Sequence, residues 1–183
     1  MIYVALLRGI NVGGNNIIRM ADLKVCFETM GCSDVVTYIQ SGNVIFTSAV
    51  VDADALVLTI EKGIAKRFGF EVRVVLVSHK QLEDAVKKAP KGFGSDLETY
   101  RCDVIFLKSP VTPKEAMKSI KTKEGVDEVY ASAEALYFSR LVSKAAQSFL
   151  PKIVSSSAYK SMTIRNWNTT TKLLAMMDAV KKE

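Results

Sequence analysis

Strand-like and helix-like segments follow one another along this chain in an order that repeats, and the repeat leaves few folds open. Over residues 1–78, and again over residues 101–183, short β-prone runs and amphipathic helical patterns succeed each other as β-α-β-β-α-β. This order predicts an α+β fold of two ferredoxin-like plait subdomains in tandem, each with a four-stranded antiparallel sheet and two helices on one face. The two halves share this topology without residue-level identity.

Turn and capping residues mark the predicted boundaries. The predicted strands cover residues 2–8, 35–39, 44–47, 72–77, 102–107, 126–131, 136–141 and 162–164. The predicted helices begin at Met20, at Asp52 or Asp54, at Thr112, at Ser143 and at about Thr169, and the first three end at Gly31, Gly69 and near Gly125. A connecting helix runs from a capping box at residues 78–81 to Pro90 and is followed by a polar linker. The predicted organisation is therefore a subdomain over residues 1–78, a connecting helix and linker over residues 79–100, and a second subdomain with a C-terminal helix over residues 101–183.

Composition and charge favour a globular protein over a disordered or membrane-spanning one. Hydrophobic residues make up 49% of the 183 residues and charged residues 24%, which is typical of a globular chain. The apolar runs are of strand length, and residues 1–8 favour a first strand over a signal peptide, so we expect a cytoplasmic protein without a membrane partner. The three cysteines, Cys26, Cys32 and Cys102, are expected to be reduced thiols. The net charge of +6 lies entirely in residues 79–183, which fits either an anionic partner or a solvated basic face.

A first polar cluster is predicted where the loop after strand one meets the turn between strands two and three. Plait topology brings residues 8–19 beside residues 40–43, at one end of the sheet. The candidate ligand-binding residues are Arg8, Asn11, Gly13, Gly14, Gln40, Ser41 and Asn43. Backbone N–H groups of the two glycines, with the charge of Arg8, could hold an anion. The alternative is that the asparagines hydrogen-bond the loop onto itself and onto the hairpin.

A second polar cluster is predicted where strand three of the second half and the last strand of the chain both end. Its candidate residues are Ser143, Lys144, Arg165, Asn166, Asn168, Thr169 and Lys172. Two helices would direct their N-termini to this region, and helix N-termini attract anions. The alternative is simple capping, by Ser143 in one helix and by Asn168 or Thr169 in the other.

The motifs in these clusters resemble a known family. The segments Arg8-Gly9-Ile10-Asn11-Val12-Gly13-Gly14, Tyr38-Ile39-Gln40-Ser41-Gly42-Asn43 and Arg165-Asn166-Trp167-Asn168-Thr169 resemble, in this order, the signature of the bacterial family called domain of unknown function 1697. The resemblance covers essentially the whole chain and implies a pair of ferredoxin-like subdomains. It implies no activity, substrate or cofactor, but the family's signature falls on both clusters.

Several common chemistries lack the residues that they require. The glycine loop is followed by no Gly-Lys-Ser/Thr, and His79 is the only histidine, so a P-loop and a histidine metal centre are not expected. We expect no metal and no cofactor, and the sequence assigns no catalytic residue. The best interpretation is binding of a small anionic or phosphorylated ligand between polar loops.

Two other functions stay open. One is a nucleic-acid-binding module that uses the basic C-terminal half, and the other is a protein–protein adaptor. Nucleic-acid binding draws on aromatic residues predicted for the central strands, which are Tyr3, Phe46, Phe106 and either Tyr137 or Phe138. Core packing is the competing interpretation of these aromatic residues.

Overall fold

The computed structural model describes residues 1–181, whose contacts divide into two compact units. The first unit comprises residues 1–80 together with the chain from Lys172 onward, and the second comprises residues 81–171. Each unit contains one four-stranded antiparallel sheet. The chain is therefore a mixed α+β protein. The predicted subdomain boundary at residue 183 lies outside the described residues.

Residues 1–78 of the first unit form four strands and two helices. These elements are β1 (Ile2–Arg8), α1 (Met20–Thr29), β2 (Ser33–Tyr38), β3 (Asn43–Thr47), α2 (Ala53–Phe68) and β4 (Arg73–Ser78). The strand order is β2-β3-β1-β4, so β1 is central and pairs with both β3 and β4. This order brings the end of β1, the start of β3 and the start of β4 to one end of the sheet.

Capping chemistry explains the limits of α2. The sequence left Asp52 and Asp54 open as caps, and the structure selects Asp52, whose Oδ1 accepts hydrogen bonds from the backbone N–H groups of Asp54 and Ala55, both at 3.0 Å. At the other end Gly69 adopts φ +80°, which ends the helix in the left-handed conformation that glycine tolerates. Between these limits the apolar face of α2 is buried against the sheet.

The core of the first unit lies between the sheet and its two helices. Alternate residues of β1 face α1 and α2, and Phe27 of α1 meets Phe46 of β3 edge-on at 5.2 Å between ring centroids. The buried side chains of this core include Tyr3, Ala5, Leu7, Leu23, Phe27, Val44, Phe46, Ile60 and Ile64. The central strands β1 and β3 are buried along nearly their whole length, and each helix buries one face, in agreement with the apolar runs and helical periods from which these elements were predicted.

The second unit contains a second sheet but much less helix. Helix α3 (His79–Lys87) leads into β5 (Tyr100–Leu107), α4 (Pro113–Met117), β6 (Asp127–Ala131), β7 (Leu136–Leu141), β8 (Met162–Asn166) and α5 (Trp167–Val180). The strand order is β6-β7-β5-β8. Helices α3 and α5 each contribute residues to both units. None of the helices within residues 1–181 is both long and apolar enough to cross a lipid bilayer.

The α-helix predicted to begin at Ser143 is wrong. Three 3-10 helices, Val142–Gln147, Leu150–Ser155 and Ser157–Ser161, connect β7 to β8 instead. Leu141 occupies the first N-cap position, and Lys144 leaves helical geometry at φ −119° and ψ 20°. Serine side chains compete for the backbone here, since the Ser148 hydroxyl accepts from the Leu150 N–H at 3.1 Å and the Ser155 hydroxyl donates to the Lys152 carbonyl at 2.7 Å.

The helix predicted from Thr112 to near Gly125 is also too long. Its capping box forms as the sequence indicates, because the Thr112 hydroxyl accepts from the Glu115 N–H and the Glu115 carboxylate accepts from the Thr112 N–H. However, the α-helix ends at Met117, and the chain continues in turns whose N–H groups bond three residues back, as at Lys118. A good start signal therefore did not determine where this helix ends.

The buried carboxyl group of Asp103 in β5 is expected to make the free energy of unfolding depend on pH. Its side chain is buried, and this burial raises the pKa of the carboxyl, while Arg101 and Arg140 lower it by a smaller amount. The folded state thus holds the proton to higher pH than the unfolded state, so this group's contribution to stability falls as pH rises from about 4 through the raised pKa. Urea unfolding between about pH 3 and pH 8 should show Asp103→Asn gaining stability relative to wild type as pH rises. A difference that is constant with pH would contradict this assignment.

Candidate functional site

The structure brings the loop after β1 and the turn between β2 and β3 together at one end of the first sheet. The Asn11 side-chain amide joins them. Its Nδ2 donates to the carbonyl oxygens of Gln40 and Ile18 at 2.9 and 3.0 Å, and its Oδ1 accepts from the Ile18 N–H at 2.8 Å. One side chain thus fixes both ends of the loop and the hairpin.

The other asparagines of the cluster also hold the backbone. Asn16 Nδ2 donates to the Gly9 carbonyl at 2.9 Å, and the buried Asn43 donates through Nδ2 to the Tyr38 carbonyl at 2.9 Å. The side chains of Asn11 and Asn43 therefore follow the alternative interpretation, in which the asparagines hydrogen-bond the loop onto itself and onto the hairpin. Ligand contact would fall instead to the exposed residues of the cluster, which are Gly13, Gly14, Gln40 and Ser41.

A tight turn presents the two glycines at the tip of the loop. Val12 and Asn15 form an isolated antiparallel bridge, and the Asn15 N–H donates to the Val12 carbonyl at 3.0 Å. Gly13 and Gly14 fill the two central positions with φ +58° and +78°, which is the backbone of a type I′ turn. The loop is thus a rigid structure whose glycines are solvent-exposed.

Arginines surround this end of the sheet. Arg8 and Arg73 lie directly opposite each other in the antiparallel register of β1 and β4, so both side chains leave the same face of the sheet. Arg19 occupies the N-cap position of α1, where its charge is unfavourable to the helix dipole. Acidic residues lie in the neighbouring segments too, among them Asp22, Glu71 and Glu61, whose Oε1 accepts from the Val74 N–H at 2.8 Å next to Arg73. Sequence reasoning missed Arg73, although the pairing of β4 with β1 in a plait would have placed it opposite Arg8.

Exposed apolar side chains complete the rim. Val12, which follows Asn11, is 66% exposed. Ile17 is 63% exposed and precedes Ile18, which is a hydrogen-bond partner of Asn11. Ile39, next to Gln40, is 47% exposed and adopts φ +49°, which is costly for a β-branched residue. This end of the sheet therefore combines cationic, amide and apolar surface.

The second predicted cluster is engaged in internal hydrogen bonds. Arg165 is only 8% exposed, and its Nη1 donates to the Thr163 hydroxyl at 3.0 Å and to the Ile164 carbonyl at 2.9 Å. This burial lowers the pKa of Arg165 to about 10. Asn166, not Asn168 or Thr169, caps α5, because its Oδ1 accepts from the Thr169 N–H at 2.8 Å.

Two converging helix N-termini are not found at this cluster. Ser143 and Lys144 are exposed, but they lie in a 3-10 helix, so only α5 begins here. Thr169 is buried and Asn168 is exposed, while Lys172 belongs by its contacts to the first unit. The prediction that two helix N-termini point toward this cluster is therefore wrong. The main reason to expect an anion at the cluster is removed with it.

The aromatic residues considered for nucleic-acid binding are core residues. Tyr3, Phe46, Phe106, Tyr137 and Phe138 are each no more than 3% exposed. Buried rings cannot stack on bases, so core packing explains them. Within residues 1–181, no group of three or more histidine, cysteine, aspartate or glutamate side chains is arranged to hold a metal ion.

Two antiparallel four-stranded sheets with flanking helices define the class of this protein as α+β. Residues 1–137 match the family described as a protein of unknown function (DUF1697), and the chain belongs to that family. It is similar to a solved structure, that of the conserved bacterial protein SP0830 from Streptococcus pneumoniae. The two chains are 28% identical with a TM-score of 0.82, and the match covers 96% of this chain and 98% of the other. No curated protein matches the chain.

Proposed function

We propose that the first unit binds a small anionic or phosphorylated ligand at the end of the sheet where β1 finishes. The observation that carries this proposal is the cross-strand pair Arg8 and Arg73 at the end of β1, from which the loop with the glycine turn continues. An anion at this position would contact arginine side chains from two adjacent strands. Two guanidinium groups also match the oxygens of a phosphate in geometry and in charge.

The rigid loop supports binding by reducing its entropic cost. Because the Asn11 amide ties the loop to the hairpin, no reordering of the backbone is required when a ligand arrives. The exposed N–H groups of Gly13 and Gly14 would donate to anionic oxygens, and Gln40 and Ser41 would add side-chain hydrogen bonds. The apolar rim would contact the organic part of the ligand, which favours an organic phosphate over an inorganic ion.

A panel of phosphorylated metabolites should therefore raise the melting temperature of the protein. We expect Arg8→Ala and Arg73→Ala each to weaken binding of the best compound by about tenfold or more, because each removes a charge-assisted contact. Lys114→Ala, which removes one exposed positive charge from α4 of the second unit, should leave the shift intact. Amide NMR signals of Gly13 and Gly14 should move with ligand in the wild type.

Two results would overturn this proposal. The first is full retention of the thermal shift in both arginine variants, and the second is an unchanged position of the Gly13 and Gly14 signals at saturating ligand. Tight, steeply salt-dependent binding of oligonucleotides without a metabolite response would favour the nucleic-acid alternative instead.

We also infer that both units are ferredoxin-like plaits. Their strand orders support this, and so does the order of elements along the first unit, where α1 connects β1 to β2 and α2 connects β3 to β4. In the second unit the 3-10 helices take the place of the second plait helix. A cytoplasmic location would suit the three free and buried cysteines, because reducing compartments preserve thiols.

A further inference from the structure

A separate cleft lies at the opposite end of the first sheet, where β1 begins and β4 ends. Its volume is about 410 Å³, and it is lined by Met1, Ile2, Ser78, His79, Lys80 and Lys181. All of these residues belong to the first unit. The only histidine of the chain thus stands in a cleft that the predicted ligand-binding residues do not reach.

His79 is oriented by a carboxylate from a distant part of the chain. Its Nε2 lies 2.6 Å from Oδ1 of Asp178 in α5, and the imidazole is only 14% exposed. A short hydrogen bond to a carboxylate fixes the orientation of an imidazole ring. With Nε2 directed at Asp178, Nδ1 is the ring nitrogen available for a ligand in the cleft.

The charges around this histidine favour an oxyanion. Lys80 and Lys181 contribute two positive charges to the residues that line the cleft, and the Asp178 carboxylate is hydrogen-bonded to His79. Lysine binds phosphate as a point charge and imidazole binds it as a directional donor, so together they provide both attraction and orientation. Sequence spacing could not reveal this group, since His79 and Asp178 are 99 residues apart.

We propose that this cleft is a second anion-binding site, which takes a small phosphate-type oxyanion with His79 and the two lysines as its ligand contacts. Asp178 is a positioning residue that acts through the imidazole. The site does not depend on the Arg8 and Arg73 pair, because the two groups lie at opposite ends of β1.

A single histidine makes the test direct, because every imidazole NMR signal of the protein belongs to His79. Inorganic phosphate should be titrated at fixed pH and fixed ionic strength, with chloride as the replaced anion. We expect saturable movement of the His79 ring signals, and an affinity about tenfold lower in Lys181→Ala. Arg8→Ala should leave this titration unchanged, so failure here and failure of the first site are distinguishable.

A matched pair of variants tests the role of Asp178. Asp178→Asn and Asp178→Ala remove the same charge, but only asparagine keeps an oxygen that can accept from the imidazole. We expect phosphate to bind Asp178→Asn at least several-fold more tightly than Asp178→Ala, with wild-type-like ring signals in the former. A titration that is linear in phosphate, or one that Lys181→Ala does not alter, would overturn the site. Equal affinities in the two Asp178 variants would refute the positioning role.

Discussion

Replacement of Gly42 by alanine is expected to lower the free energy of unfolding of the first unit by about 3 kcal/mol. Gly42 adopts φ +77°, where an alanine is strained by about 1–2 kcal/mol. In addition, a Cβ at this position would lie 2.7 Å from Ile10 Cδ1 and 2.9 Å from Leu7 Cβ. Leu7 Cβ is attached directly to the central strand and cannot yield, so overpacking adds a further cost of about 1–3 kcal/mol.

Gly31→Ala separates these two costs. Gly31 also has a positive φ, +84°, but an alanine methyl group at this position would have open space around it, with no contact within 4 Å among the described residues. Urea unfolding followed by circular dichroism should show a loss of about 1–2 kcal/mol in Gly31→Ala and a clearly larger loss in Gly42→Ala. Equal losses would mean that the contact with Leu7 and Ile10 does not constrain the hairpin.

The same Gly42 substitution has a functional consequence. The Leu7 N–H donates to the Gly42 carbonyl at 2.8 Å, so the hairpin is held against the end of β1 at the point where the proposed anion site begins. Displacing Gly42 should also displace Gln40 and Ser41 from the loop that Asn11 ties to them. Ligand affinity at this end should therefore fall in Gly42→Ala and persist in Gly31→Ala.

Replacement of Asp127 by alanine is expected to destabilise the second unit by about 2–3 kcal/mol. One carboxylate oxygen of this buried residue, Oδ2, accepts hydrogen bonds from the backbone N–H groups of Lys123 and Phe149, at 2.9 and 2.8 Å. The bond to Phe149 ties the 3-10 segment to the start of β6. Alanine leaves two donors without their acceptor, and each loss costs about 1–3 kcal/mol, with water access at Lys123 moderating the sum.

Asparagine at the same position is the matched control. Its amide oxygen can take the place of Oδ2 and accept both bonds, while its NH₂ group takes the place of Oδ1, which has no hydrogen-bond partner within residues 1–181. We therefore expect Asp127→Asn to unfold within about 1 kcal/mol of wild type. If both variants lose the same stability, the charge of Asp127 matters and its two backbone contacts do not.

Local signals predicted much of the fold. The cap at Asp52, the glycine stop at Gly69 and the capping box at Thr112 depend on contacts within four residues, which the sequence displays directly. The polar loop beside the hairpin followed from strand order, since a plait places those two connections at one end of the sheet. The limits of α4 and the segment after β7 escaped prediction, because serine hydroxyls and turn geometry compete there with an α-helix of ordinary propensity.

The class of fold, the order of the strands and the position of the glycine turn could all be read from the amino-acid sequence, because hydrophobic period and turn chemistry act over a few residues. Which polar groups are available to a ligand depends instead on long-range packing. Asn11 and Arg165 resemble binding residues in sequence, but folding commits both to internal hydrogen bonds. Conversely, Arg73 and His79 become candidates only in the folded chain. Strand pairing places Arg73 opposite Arg8, and packing of α5 brings Asp178 to His79.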